Sequence, residues 1–294
     1  MPTQTLTLPT GRALEFAEYG DPAGHPAVVF HGLIGSHHQA SWIAEEASRR
    51  GLRLIAPNRP GVGRSGFVRR NAAVEAVADV VTLADGLGVG RFSVIGISGG
   101  TPYALACAHR LPDRVATATL LSGMGPTAMR GSLAGMDPRR RAFFVVGSRS
   151  RRAAAKAFGA ARDRYREDPA RFLRGLVRTW SRPDRALFDR PDVFALFLRD
   201  LEAVFDAPDG PAGLAQELAL YRRYPFALES LPPTTGVTIW HGLDDTIVPP
   251  AMAWAMLRRL PNAEAHLIPG GHFVAVAVAR DILDRLLRQV DATG

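Results

Sequence analysis

One rhythm runs through most of this chain: short apolar, β-branched runs alternate with longer segments whose apolar residues recur at helical spacing. The runs are "AVVFHG", "LRLIAP", "RFSVIGIS", "ATATLLSG", "GVTIWHG" and "AEAHLIPGG", beginning at Ala27, Leu52, Arg91, Ala116, Gly236 and Ala263. Near-continuous apolar strands fit a sheet buried on both faces, and the helix-length segments between them supply the crossovers that parallel strands require. The alternation therefore predicts an α/β fold, a mostly parallel central sheet wrapped by helices. "TLTL" and "RALEFAEYG", joined by the turn-forming "PTGR", predict an opening hairpin.

The rhythm breaks between Gly123 and Pro225, where arginine-rich helical patterns replace strands. This predicts a core domain made of residues 1–122 and 226–294, with residues 123–225 inserted as a helical lid. Charge follows the same division. The chain carries a formal net charge of +8, and residues 123–225 hold 20 basic against 12 acidic side chains, while the remainder holds 16 of each. No zinc-finger, helix-turn-helix or RNA-binding signature accompanies the arginines, so they predict solvated helix faces and no nucleic-acid partner. The opening residues lack a basic stretch followed by an apolar core, and no run of ~18 apolar residues occurs, which predicts a cytoplasmic protein without membrane association. A lone cysteine, Cys107, excludes an internal disulfide and reads as a small buried apolar residue. Nothing in the pattern calls for a metal or an organic cofactor.

Ligand sites in open α/β sheets gather at the carboxyl ends of the strands, and four such ends carry chemistry. "GISGG" places Gly96, Ser98 and Gly100 in G-x-S-x-G spacing between a strand and a helix. That context strains the serine backbone and projects its hydroxyl from the top of the sheet. "VVFHGLIGS" supplies Leu33, whose amide could join that of Gly99 in binding an oxyanion. "HGLDDTIVPP" offers Asp244 and Asp245, and "LIPGGHF" offers His272. A serine becomes an effective nucleophile when an imidazole takes its proton and a buried carboxylate fixes the imidazole's tautomer, so Ser98, His272 and an aspartate fill the three roles. Met124 and Phe273 flank the site and, with His31, are candidate substrate contacts, while bonding the loop is the stronger reading for His31. His37 and His38 are further candidates to face a pocket.

In order and spacing, "HGLIGS", "NRPGVGRS", "GISGG", "HGLDDTIVP" and "GGHF" make the chain resemble the α/β-hydrolase fold family from about Thr5 to Val290. The resemblance implies Asp245 as the acid and Asp244 as its neighbour. Some members carry the acid after the strand that precedes the lid, but here that stretch reads "LLSGMGP" and has no carboxylate. Asn58 stands where the family commonly has aspartate, a departure that bears on loop hydrogen bonding. Serine at the elbow separates the chain from the aspartate-dependent dehalogenases and epoxide hydrolases that it otherwise resembles. The expected activity is hydrolysis of an ester or thioester with a hydrophobic acyl or aromatic group. Carbon–carbon bond hydrolysis, lyase or cyclase chemistry with the same residues, and a non-catalytic small-molecule receptor are the alternatives.

Overall fold

The computed structural model describes residues 3–293. Its eight strands are β1 (Gln4–Thr7), β2 (Ala13–Gly20), β3 (His25–Phe30), β4 (Leu52–Pro57), β5 (Phe92–Ile97), β6 (Val115–Leu121), β7 (Gly236–Gly242) and β8 (Ala263–Ile268). They form one sheet in the order β1-β2-β4-β3-β5-β6-β7-β8. The opening hairpin pairs β2 antiparallel with both β1 and β4, and every later pairing is parallel. The fold is thus the mostly parallel, helix-wrapped sheet that the alternation predicts.

Strand pleating sends alternate residues to opposite faces, and two separate cores result. Ala27 and Val29 pack on one face with α1 (Ala44–Arg49) and the terminal α11 (Ala279–Thr293) through Ala47, Ile282 and Leu286. Val28 and Phe30 face the other way, onto the core that includes Val80 of α2 (Val77–Gly86) and Leu105 of α3 (Thr101–Arg110). Met252 and Met256 of α10 (Pro250–Leu257) join that same core. Cys107 is buried in α3, as its apolar surroundings suggest.

Six helices lie between β6 and β7: α4 (Pro138–Gly147), α5 (Arg151–Glu167), α6 (Pro169–Val177), α7 (Arg182–Phe188), α8 (Pro191–Phe205) and α9 (Gly210–Leu220). Their starts are written in the sequence. Asp137, Ser150, Asp168 and Ser181 each accept a backbone N–H from the first turn of the helix they cap, and prolines open α4, α6 and α8. These helices share the larger core with the sheet through Phe158, Leu201, Phe205 and Leu218. Among the described residues no helix is long and apolar enough to cross a membrane.

Two helices are entered through 3-10 turns. α1 is preceded by 3-10 turns over His37–Ile43, where Ser36 caps the turn. α11 starts at Ala279, because Phe273 turns into an aromatic cluster and residues 274–276 form a single 3-10 turn.

Candidate active site

Ser98 sits immediately beyond β5 with φ of 49°, a left-handed conformation that is costly for a residue with a side chain. The turn is that tight because backbone and helix close around it. A side chain at Gly100 would put its first carbon 2.0 Å from the Phe30 carbonyl oxygen, and one at Gly96 would approach the Thr101 Cα to 2.8 Å. Glycine at both positions is therefore a steric requirement of the elbow, and the strain holds the Ser98 hydroxyl at the floor of a cavity.

That cavity has a volume of about 510 Å³ and is walled by both the core and the insertion. Its lining includes Leu33, Ser98, Gly99, Met124, His272 and Phe273, together with Trp42 from the core and Phe144, Trp180, Phe197 and Phe205 from the insertion. Trp42, Trp180, Phe188, Phe197 and Phe273 pack as one aromatic cluster, with centroids of contacting rings 4.8–6.2 Å apart. Arg140 of α4 is the partly buried cation on this wall. Its guanidinium bonds the Thr246 carbonyl and, at 3.2 Å, the Thr179 hydroxyl.

His272 follows β8, and its Nδ1 lies 2.7 Å from Asp245 Oδ2. The other Asp245 oxygen, Oδ1, accepts the backbone N–H groups of Ile247 at 2.8 Å and Val248 at 2.9 Å, and the side chain is fully enclosed. Burial disfavours ionised Asp245, but His272 and the neighbouring His241 outweigh it and hold the carboxyl far below the usual carboxylate range. Burial also opposes charging of His272; the Asp245 charge and hydrogen bond prevail, and the imidazole pKa rises above its ordinary 6.5. An ionised Asp245 accepts the Nδ1 proton, which leaves the Nε2 lone pair of neutral His272 as the basic position. No hydrogen bond to the Ser98 hydroxyl is present among the described residues.

Leu33 and Gly99 adjoin: a methyl at Gly99 would lie 3.0 Å from Leu33 N. The Leu33 loop is braced from beneath. Gln39 Oε1 accepts the Gly32 N–H at 2.7 Å, and buried Arg59 donates to the carbonyls of His31 and Gly32. The side chain of Asp244 bonds the neighbouring loop, with Oδ2 accepting the Gly270 N–H at 3.3 Å. Asn58 accepts from His37 N at 2.6 Å through its oxygen and donates to Glu15 at 2.7 Å through its nitrogen. An aspartate there could not donate to Glu15, so the amide suits this loop.

Of the two roles expected of His31, the loop bond is present and the substrate contact requires correction. His31 is buried and absent from the cavity wall; its Nδ1–H donates to Gly32 O at 2.9 Å and its Nε2 accepts from Arg59 N at 3.1 Å. Both ring nitrogens are spent on the loop, and burial beside Arg59 pushes its pKa well down. His37 and His38 also lie off the cavity; His37 Nδ1 pairs with the Tyr19 hydroxyl at 2.7 Å.

Sequence motifs passed over several residues that shape the site. Ser122, with φ of 47°, donates its hydroxyl to the His272 carbonyl at 2.7 Å, and so supports the histidine loop from the strand end that lacks a carboxylate. Asp184 of α7 reaches the same loop from the opposite side. Its only sequence signal is the Ser181-x-x-Asp184 spacing, which reads as a helix cap.

The sequence model described as the alpha/beta hydrolase fold matches residues 26–276. The chain is 31% identical over 121 residues to the uncharacterized hydrolase YcgS of Bacillus subtilis, covering 41% of each chain, so the match spans under half the length of that relative. Among solved structures, an esterase of Thermogutta terrifontis superimposes with a TM-score of 0.71 at 21% identity, covering 99% of both chains. The enol-lactonase of Burkholderia xenovorans superimposes with a TM-score of 0.70 at 16% identity, covering 98% of this chain and all of that one.

Proposed function

The chain belongs to the α/β-hydrolase fold family, and we propose that it is a hydrolase that cleaves an ester or thioester through Ser98, His272 and Asp245. The observation that carries this reading is the strained serine of an aromatic-walled cavity that is also lined by His272, whose Nδ1 is engaged by a buried carboxylate 2.7 Å away. His272 Nε2 takes the Ser98 proton as Oγ attacks the substrate carbonyl, and the Leu33 and Gly99 amides receive the oxyanion that develops. The carbonyl re-forms as the alcohol or thiol departs, carrying the proton held by His272. Water, deprotonated in turn by His272, attacks the acyl-enzyme, releases the acid and restores Ser98.

The wall favours a hydrophobic acyl or aromatic group. Ring faces and edges from Trp42, Trp180, Phe197 and Phe273 surround the space above the serine, and apolar burial contributes about 25 cal/mol per Å². Treatment with a fluorophosphonate, read by intact mass and peptide mapping, should add one adduct at Ser98, and p-nitrophenyl esters from acetate to decanoate should be hydrolysed with a preference for the longer or aryl acids. An unlabelled Ser98 would overturn the nucleophile assignment. A labelled enzyme that leaves every ester intact would move the chemistry to carbon–carbon bonds.

A further inference from the structure

The base is held by more than its triad carboxylate. Asp184, in α7 of the insertion, is 2% exposed, and its two oxygens accept the backbone N–H groups of His272 and Phe273, each at 3.0 Å. The Ser181 hydroxyl donates to Oδ2 at 2.6 Å, so three donors surround a buried carboxylate. The loop is shaped to receive it: a side chain at Gly271 would place its first carbon 2.2–2.3 Å from Asp184 Cγ and both oxygens. Gly271 lacks the positive φ that would otherwise demand glycine, so the carboxylate is what excludes a side chain there.

Isolated burial of a carboxylate costs several kcal/mol, and a merely structural link between helix and loop needs no charge. Here the charge lies beside the imidazole that Asp245 orients, and it favours the imidazolium form, as Asp245 does. The remaining charged neighbour, Arg140 of α4, acts in the opposite sense. The His272 backbone is thus clamped at its carbonyl by Ser122 of the core and at its amide by Asp184 of the insertion.

We propose that Asp184 is a positioning residue for His272: by filling the space above Gly271 and taking the amides of residues 272 and 273, the insertion sets where the base stands relative to Ser98. The proposal rests on His272 being the base. It makes α7 part of the reaction machinery.

The test compares Asp184→Ala, Asp184→Asn, Gly271→Ala and the Asp184→Ala/Gly271→Ala double variant. For each, the second-order rate of Ser98 phosphonylation by a fluorophosphonate and kcat and KM for p-nitrophenyl butyrate are measured across pH, with circular-dichroism melts to establish folding. Misplacing a reacting group by about 1 Å can cost on the order of 10²-fold, so Asp184→Ala and Gly271→Ala should each slow labelling and kcat roughly 10- to 100-fold with little change in KM. Because both disturb one contact, the double variant should be no slower than the slower single variant. Asp184→Asn keeps the volume and one acceptor, and it should move the acid limb of both rates to lower pH. That isosteric variant decides the matter if Asp184→Ala does not fold. Folded Asp184 variants with wild-type rates and an unmoved acid limb would overturn the proposal, as would losses that multiply in the double variant. His272→Ala serves as the control: if it labels and turns over normally, the base assignment has failed, whereas an inactive His272→Ala beside normal Asp184 variants condemns the positioning role alone.

Discussion

Replacing Asp245 by asparagine changes one atom and should nearly abolish turnover, while the same change at Asp244 should leave it intact. Asp245 Oδ1 is fixed by two backbone donors, at 2.8 and 2.9 Å, so an asparagine would keep its carbonyl oxygen there and turn its NH₂ toward His272. Two N–H groups would then meet across the 2.7 Å contact. The ring would relieve the conflict by moving its proton to Nε2, and the lone pair that should accept the Ser98 proton would be gone. Loss of the correct tautomer at such a triad costs on the order of 10⁴-fold in kcat. Asp244 is exposed and makes one long contact of 3.3 Å with Gly270 N, so its loss should cost no more than ~1 kcal/mol of stability. Purified variants would be compared by kcat on the best p-nitrophenyl ester, with circular-dichroism melts to verify folding. A folded Asp245→Asn variant that keeps a tenth or more of wild-type kcat would rule out Asp245 as the carboxylate that fixes the His272 tautomer, as would a collapse in Asp244→Asn.

The His272 pKa lies above 6.5, and the base must be neutral to act, so kcat/KM should fall as pH drops through a value above 6.5; an acid limb below it would contradict the Asp245 pairing. Burial pushes the Asp200 carboxyl up to about 7 against its ordinary 3.8, opposed by hydrogen bonds from Ser36 and Gln39. A folded-state pKa above the unfolded one gives stability that is complete below about 3.8 and lost as pH rises to about 7, so wild-type melts should decline across that window while those of Asp200→Asn stay comparatively level. Parallel melting curves would reject this. Trp180→Ala removes an indole that packs on Phe188, Phe197 and Phe273, and losing apolar contact worth ~1–3 kcal/mol should raise KM for decanoate or benzoate esters tenfold or more while sparing acetate. An unchanged acyl-chain profile would show that the ring packs the cluster without meeting substrate.

The sheet was legible because burial on both faces leaves a mark in every strand, as in "LRLIAP" and "GVTIWHG", and because helix caps at Asp137, Ser150 and Asp168 announce themselves locally. Ser98 was legible for a related reason: an elbow this tight leaves glycine at positions 96 and 100. His31 shows the limit of that kind of reading. A histidine at a strand end beside an oxyanion loop reads more readily as bracing the loop than as facing substrate, but only the positions of Gly32 O and Arg59 N decide between them. The start of the last helix depends likewise on where Phe273 packs, which no local spacing encodes.

What the motifs left unread shares one physical character: carboxylates of the insertion that stabilise loops far away in sequence. Asp184 binds the His272 amide 88 residues on, and Asp200 takes both the Ser36 amide, at 2.9 Å, and its hydroxyl, at 2.7 Å, from a position 164 residues away. Glu217 of α9 accepts the Tyr103 hydroxyl at 2.5 Å and pairs with Arg59 at 3.3 Å, and Arg59 in turn holds the carbonyls beneath the Leu33 loop. Read along the chain, each acid looks like part of a solvated or capping helix surface, because a buried charge and an exposed one have the same letter. Their burial has an energetic consequence that an apolar contact would lack: withdrawing the insertion would leave each carboxylate's loop donors unpaired, at ~1–3 kcal/mol or more apiece. Such linkage favours entry of substrate along the existing cavity over wholesale displacement of α7, α8 and α9, since displacement would release the loops that carry His272 and Leu33 together.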